Sequence, residues 1–384
     1  MAIQKKAPIF ELNVVRGLAI LAVLIVHSTS VTVGTLDTSS TSFFAYNAAN
    51  TFFRIGTTTF ILLSSFVLFY SYYHRELTGN LVKNFYKRRL LYILVPYFVF
   101  SLIYVTVTSQ FFETYGGFNE FISDFGNKLM MGSAYPHLYF VFISIQFYLL
   151  FPIFLWLLKR YPGLVKHLIW IGFVIQFSYS LYNHFVIKYP NVGSISLSYM
   201  SHYLAGAFIG IYYESIKAWF AKAKSVFSRQ SMVIAGIFGI WALAVSGHIY
   251  LYYSLRAYGV SYDSKLFHLF WSFHTFFSAL ILILIGHWIY KHGKPWLINT
   301  LTQLGIYSFG IYLIHPLFLL FYRKYVYFGN EMMQYHLWIL SCFLVALLGS
   351  LLVVYPVLNW VKSGWILFGA RPKGVQAKPR EKSH

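Results

Sequence analysis

The chain predicts an all-α, polytopic membrane helix bundle of about ten transmembrane helices with both termini in the cytoplasm. Three observations carry that expectation: a charge-poor apolar composition, ten apolar segments of spanning length, and an alternation of basic residues between the two sides. Of 384 residues, 58% are hydrophobic, 21% aromatic and only 10% charged, whereas soluble domains carry about 25% charged residues. The single cysteine, Cys342, lies in an apolar run, which excludes an intrachain disulfide and gives no sign of thiolate-metal or redox chemistry.

Hydrophobic runs place the segments at about 12–34, 51–73, 90–112, 138–158, 167–187, 198–216, 231–253, 266–290, 303–322 and 336–360. The first follows Lys5 and Lys6 as a signal peptide would, but it is long enough to span and shows no small-residue cleavage site, so it reads as a retained helix. These boundaries give a cytoplasmic N-terminal segment (1–11), a transmembrane domain (12–360) and a basic cytoplasmic tail (361–384). The longest outside connection, about 113–137, reads as a polar loop.

With the N-terminus inside, 22 of the 30 basic residues fall on the cytoplasmic side and 6 outside, while Arg16 and Arg54 lie within spans. That bias is what the positive-inside rule demands. It also explains the formal charge of +20: the cations face a bilayer leaflet with anionic lipids. Nucleic-acid binding, which needs a basic stripe on one folded surface, is not expected.

Charged and titratable groups inside spans are costly and mark functional paths. Arg16 and His27 stand eleven positions apart on the first helix, three turns, so they share a face with the imidazole ~16 Å farther along the axis. On the ninth segment, Ser308, Tyr312 and His315 follow at i, i+4 and i+7, again one face. Under the orientation above, His315 reaches the outer half, at a depth comparable with His27. Arg54 opens the second segment from outside, His137 opens the fourth, and Gln146 and Tyr148 follow within it. Lys87, Arg88 and Arg89 precede the third segment on the inner side, a cationic mouth suited to an anionic donor. For His27 two readings stand: a general base or nucleophile, or a buried histidine satisfied by a neighbouring helix. Fourteen histidines raise the question of a metal, but no His-Glu-x-x-His helix occurs and the ten acidic residues lie mostly in loops, so no metal is expected.

These residues carry a resemblance to the acyltransferase-3 family of integral membrane acyltransferases. Arg16-Gly17-Leu18-Ala19-Ile20-Leu21 with His27 resembles its opening signature, and Tyr312-Leu313-Ile314-His315-Pro316 its late element. Arg54 with Phe60 to Phe66 is similar to its second-helix pattern, and the run from His137 to Pro152 to its fourth-helix pattern. The resemblance spans about 12–360. The chain departs from the pattern at Thr58, where Pro is frequent, at Ser65, where Gly is usual, and at Tyr92, where a second Arg often stands. At Ile145-Gln146 many relatives carry an acid; Gln146 can orient a group but cannot act as a base.

The resemblance implies transfer of an acyl group, commonly acetyl from cytosolic acetyl-CoA, to a hydroxyl of a cell-surface or exported polysaccharide, as in the exopolysaccharide and intercellular-adhesin branch. It implies catalytic roles for His27, Arg16, His315, Tyr312 and Arg54, and substrate contacts for Arg88, Arg89, His137, Gln146 and Tyr148. Acyl-CoA, a carbohydrate acceptor, the bilayer of the cell membrane and glycan-synthesis machinery are the expected partners. No hydrolase-like domain follows the last helix, so direct transfer or a separate partner is expected. The alternative is a carrier or exporter of a glycan or lipid-linked precursor without acyl chemistry.

Overall fold

A computed structural model describes residues 9–111, 115–222, 228–329 and 331–370. Lys5, Lys6, residues 113 and 114 of the outside connection and the 371–384 part of the tail lie outside the described residues. Among the described residues the regular structure is entirely helical. Besides a single turn at Thr32–Thr35 and short 3-10 and π turns, the helices are α1 (Glu11–Thr29), α2 (Thr41–Phe52), α3 (Gly56–Tyr72), α4 (Gly79–Phe111), α5 (Phe118–Met131), α6 (Tyr139–Arg160) and α7 (Leu168–Tyr182). They continue as α8 (Met200–Phe220), α9 (Arg229–Tyr258), α10 (Ser264–His292), α11 (Pro295–Tyr325), α12 (Met332–Leu344) and α13 (Ser350–Trp360), with a one-turn α14 (Trp365–Phe368).

Every expected segment contains a helix, but nine stretches among the described residues are long and apolar enough to cross a membrane. The difference is α8. It carries His202, Glu214 and Lys217, and its N-terminal half is buried where it can hold polar groups. There Ser201 Oγ donates to Gln176 Oε1 (2.7 Å), and His202 Nε2 bonds Thr275 Oγ1 at 3.0 Å. Buried polar groups in such a bundle need partners of this kind.

Three further boundaries differ. The second segment is not one helix: α2 ends at Phe52 and α3 starts at Gly56, so Arg54 sits in the break. Helix α4 begins eleven residues earlier than expected, and Lys87, Arg88 and Arg89 lie on it rather than before it. The outside connection folds as α5, braced by Lys128–Asp124 (2.9 Å, i,i+4) and Tyr115 Oη donating to Asp124 (2.6 Å). Gly132 closes this helix at φ +69°, a left-handed cap that favours glycine. Past residue 360 the chain still packs: Phe368 is buried 5.8 Å from Phe100, and Trp365 meets Tyr92 at 5.6 Å.

The most buried spans are 41–72 and α11, followed by α1; α9 is the least buried. Helices α1 and α11 pack closely in parallel. A Cβ on Gly17 would collide with the Leu301 carbonyl, and one on Gly305 with the Asn13 carbonyl. Glycine at both positions lets the two backbones touch, the usual device for tight packing in lipid. This crossing fixes which residues of α1 and α11 meet farther along the pair.

Candidate functional site

Ten residues past Gly17 and ten past Gly305, the pair of helices brings His27 and His315 together, ring centroids 5.0 Å apart. His137, from the turn that leads into α6, joins them at 5.7 Å from His315. Tyr312 packs 5.3 Å from the His137 ring and donates through its hydroxyl to the His137 carbonyl at 2.5 Å. Tyr104 of α4 lies 5.0 Å from His137 on another side and donates to the Leu313 carbonyl at 2.8 Å. His137, Tyr312, His315 and Tyr104 are buried, and His27 is half-buried. Four of the residues singled out in the sequence thus form one cluster.

The hydrogen bonds fix two tautomers. A carbonyl can only accept, so His315 Nδ1 carries the proton that reaches Ile311 O at 3.1 Å. His137 Nε2 likewise donates to Leu313 O at 3.3 Å. The remaining ring nitrogens, His315 Nε2 and His137 Nδ1, are buried lone pairs without a hydrogen-bond partner. An unpartnered buried acceptor is costly, and an imidazole held by one nitrogen with the other free is how a proton acceptor is oriented.

Arg323, which the sequence offered only as one of six outside cations, donates from Nη2 to the carbonyls of His27 (2.7 Å) and Ser28 (3.0 Å). It satisfies the C-terminal end of α1, where helix carbonyls lack partners and the dipole is negative. Asn50 holds the same end from α2, donating to Val26 O at 2.9 Å, and its own oxygen accepts from Arg54 Nη2 at 3.2 Å. Arg54 therefore reaches the histidine centre through Asn50 and the α1 backbone. Tyr104 and Asn50 had no signal in the sequence, because a tyrosine or asparagine in an apolar run looks like packing until the opposing helix is known. Beside this end of α1, a shallow cavity of about 260 Å3 is lined by Ile25, Ser28, Thr29, Tyr46 and His336 among others.

Toward the other end of α1, Arg16 Nη1 donates to Asn13 Oδ1 at 3.2 Å and lies within electrostatic reach of Arg89 and Tyr148. The ion pairs among the described residues are Lys128–Asp124, Lys265–Asp263 and His287–Glu11, none of which involves Arg16 or Arg89. Arg88 is exposed on another face. Gln146 is occupied structurally: Nε2 donates to Ser194 O (2.7 Å) and Oε1 accepts from Ser196 N (2.9 Å), bracing the loop before α8. Ser308 Oγ bonds its own helix at Gly305 O (2.8 Å). No group of three His, Cys, Asp or Glu side chains among the described residues is placed to hold a metal ion.

The fold and this arrangement define a multi-pass protein of the cell membrane with a histidine–tyrosine centre inside the bundle. The profile of the acyltransferase domain matches residues 9–355, and the chain belongs to the acyltransferase-3 family. It is an acyltransferase of the kind that transfers groups other than amino-acyl groups. A similar protein from Staphylococcus aureus (strain MRSA252), named "Probable poly-beta-1,6-N-acetyl-D-glucosamine export protein", is 24% identical over 275 residues, 69% of each chain. One of the same name from Staphylococcus epidermidis is 24% identical over 319 residues, covering 80% of this chain and 81% of its own. No solved structure matches.

Proposed function

We propose that the protein moves an acetyl or similar short acyl group from a cytosolic acyl-CoA to a hydroxyl of a cell-surface or exported polysaccharide. The observation that carries this reading is the three-histidine cluster with two free, buried lone pairs. Its helix α1 also carries Arg16, which with Arg89 of α4 makes an arginine pair that takes part in no ion pair among the described residues. The two ends are separated by ~16 Å along the helix axis. A donor with phosphates at one end and a thioester at the other matches that separation. Arg16 and Arg89 bind the phosphates, for which the planar guanidinium is suited; Tyr148 flanks them, and Arg88 adds charge at the mouth.

At the histidine end the acceptor hydroxyl attacks the thioester carbonyl while an imidazole takes its proton. The C–S bond then breaks, the acyl group remains on the acceptor oxygen, and the proton passes to the departing thiolate. His27, the one imidazole of the three that is not fully buried, is the base assigned to the acceptor. His315 and His137 hold it in place and accept the proton in turn, Tyr312 fixes the His137 backbone, and Arg54 supplies positive charge nearby. A carbohydrate acceptor is supported by the printed names of the relatives, both of which concern a polysaccharide.

Those names also favour a second reading, export of the polysaccharide without acyl chemistry. Binding of acetyl-CoA to the purified protein separates the two, since an exporter has no use for it. The acyl-transfer reading predicts loss of polysaccharide acylation in His27→Ala at equal membrane expression; an unchanged acyl content in that variant would exclude it.

A further inference from the structure

A second concentration of positive charge lies outside the histidine centre. Arg54, in the break between α2 and α3, and Arg256, near the end of α9, both pack on Tyr252, their guanidinium carbons 4.5 and 4.7 Å from its ring centroid. Arg256 Nη1 donates to Asn47 Oδ1 at 2.8 Å, and Arg54 Nη2 to Asn50 Oδ1 at 3.2 Å. Both arginines turn to amide oxygens within the bundle rather than outward to an interface, which sets them apart from snorkelling cations. Neither takes part in an ion pair among the described residues.

Behind them, His248 and His274 share a hydrogen bond between their Nδ1 atoms at 2.8 Å, both buried and both with Nε2 unpartnered. One ring of such a pair donates through Nδ1; the other accepts there and so carries its proton on Nε2. The cluster therefore holds two guanidinium groups and a buried histidine pair whose Nε2 atoms bond no side chain, with the Phe52 backbone beside His274, and no carboxylate among the described residues. Two like charges on one ring repel, and an anion between them or close by offsets that repulsion. Guanidinium forks are matched to tetrahedral and planar oxyanions.

We propose that Arg54 and Arg256, held on Tyr252 and backed by the His248–His274 pair, form a binding site for a phosphate-type oxyanion. It lies at the histidine end of the bundle and is separate from the Arg16–Arg89 pair. A membrane-lipid headgroup and the phosphate of a lipid-linked or free glycan present this same chemistry. The site goes beyond acyl transfer, since it can be filled and measured with no acyl donor present.

The test uses the full chain. In neutral detergent, the thermal unfolding midpoint is followed against inorganic phosphate, with sodium chloride at matched ionic strength as the reference. In parallel, the protein is placed in nanodiscs of phosphatidylcholine with or without phosphatidylglycerol. Phosphate is expected to raise the midpoint of the wild type in a saturable way, and Arg256→Gln to weaken its apparent affinity at least about tenfold. A response confined to phosphatidylglycerol and lost in Arg256→Gln also supports the site and assigns its occupant to the lipid. Should Arg256→Gln fail to fold, Arg256→Lys keeps the charge but loses the fork and is expected to show the same weakening. A wild-type midpoint indifferent to both phosphate and phosphatidylglycerol, or an equal response in the variants, overturns the proposal.

Discussion

The imidazoles of His27 and His315, 288 positions apart in sequence, meet edge to face with ring centroids 5.0 Å apart and planes at 64°. The contact follows from the crossing of α1 and α11 at Gly17 and Gly305. It joins two sequence elements that each looked functional alone into one centre.

Gly305→Val is expected to separate the two helices, because its side chain would meet the Asn13 carbonyl. Overpacking of this kind costs ~1–3 kcal/mol, so the thermal midpoint falls and acylation falls with it. Differential scanning fluorimetry beside an acylation assay checks both; a variant of native stability and activity would show that the crossing does not set the centre.

His315→Ala removes a buried lone pair next to His27. If His315 assists proton transfer, the rate drops ~10²–10⁴-fold, the range for a positioned acid–base group. His315→Gln keeps a polar group of similar reach but cannot take up a proton, and is expected to be nearly as slow. Activity retained in His315→Gln and lost in His315→Ala would assign a purely structural role.

Arg323→Gln loses the charge-assisted bonds to the His27 and Ser28 carbonyls. Bonds to a charged donor contribute ~1.5–3 kcal/mol, and the end of α1 is expected to loosen. Amide hydrogen exchange at residues 24–30 should rise while KM for the acyl donor stays within about twofold of wild type. A change confined to donor KM would place Arg323 at the donor instead.

Arg16→Gln and Arg89→Gln are each expected to raise donor KM by about tenfold or more, the cost of one charged hydrogen bond. Arg88→Gln, on an exposed face, is expected to change it by less than about twofold, as surface charges contribute little. Equal effects at Arg88 and Arg89 would refute the assignment of the donor end.

How much of this was readable in the sequence depended on whether the signal was local. The spans showed themselves through runs of apolar residues, and His27, His315 and Tyr312 through ionisable or polar groups on one helical face. The break at Arg54 did not, because Phe52 to Gly56 carries no proline or other helix-stopping pattern and runs straight into the apolar stretch of α3. Helix α5 was hidden by polar residues that its own ion pair and cap satisfy. Arg88 and Arg89 are indistinguishable neighbours until the register of α4 turns one toward Arg16. Gln146 looked available for substrate, but only the fold could show the loop at Ser194–Ser196 that takes both ends of its amide. Arg323 shows the same limit: its partners are backbone carbonyls almost 300 residues away.

We assign acyl transfer to the histidine cluster. Its most direct measurement follows acyl incorporation from radiolabelled acetyl-CoA into polysaccharide by membranes holding equal amounts of wild-type and His27→Ala protein. Incorporation by the wild type and a loss of at least ~10²-fold in the variant are expected. Incorporation by His27→Ala at the wild-type rate would contradict it.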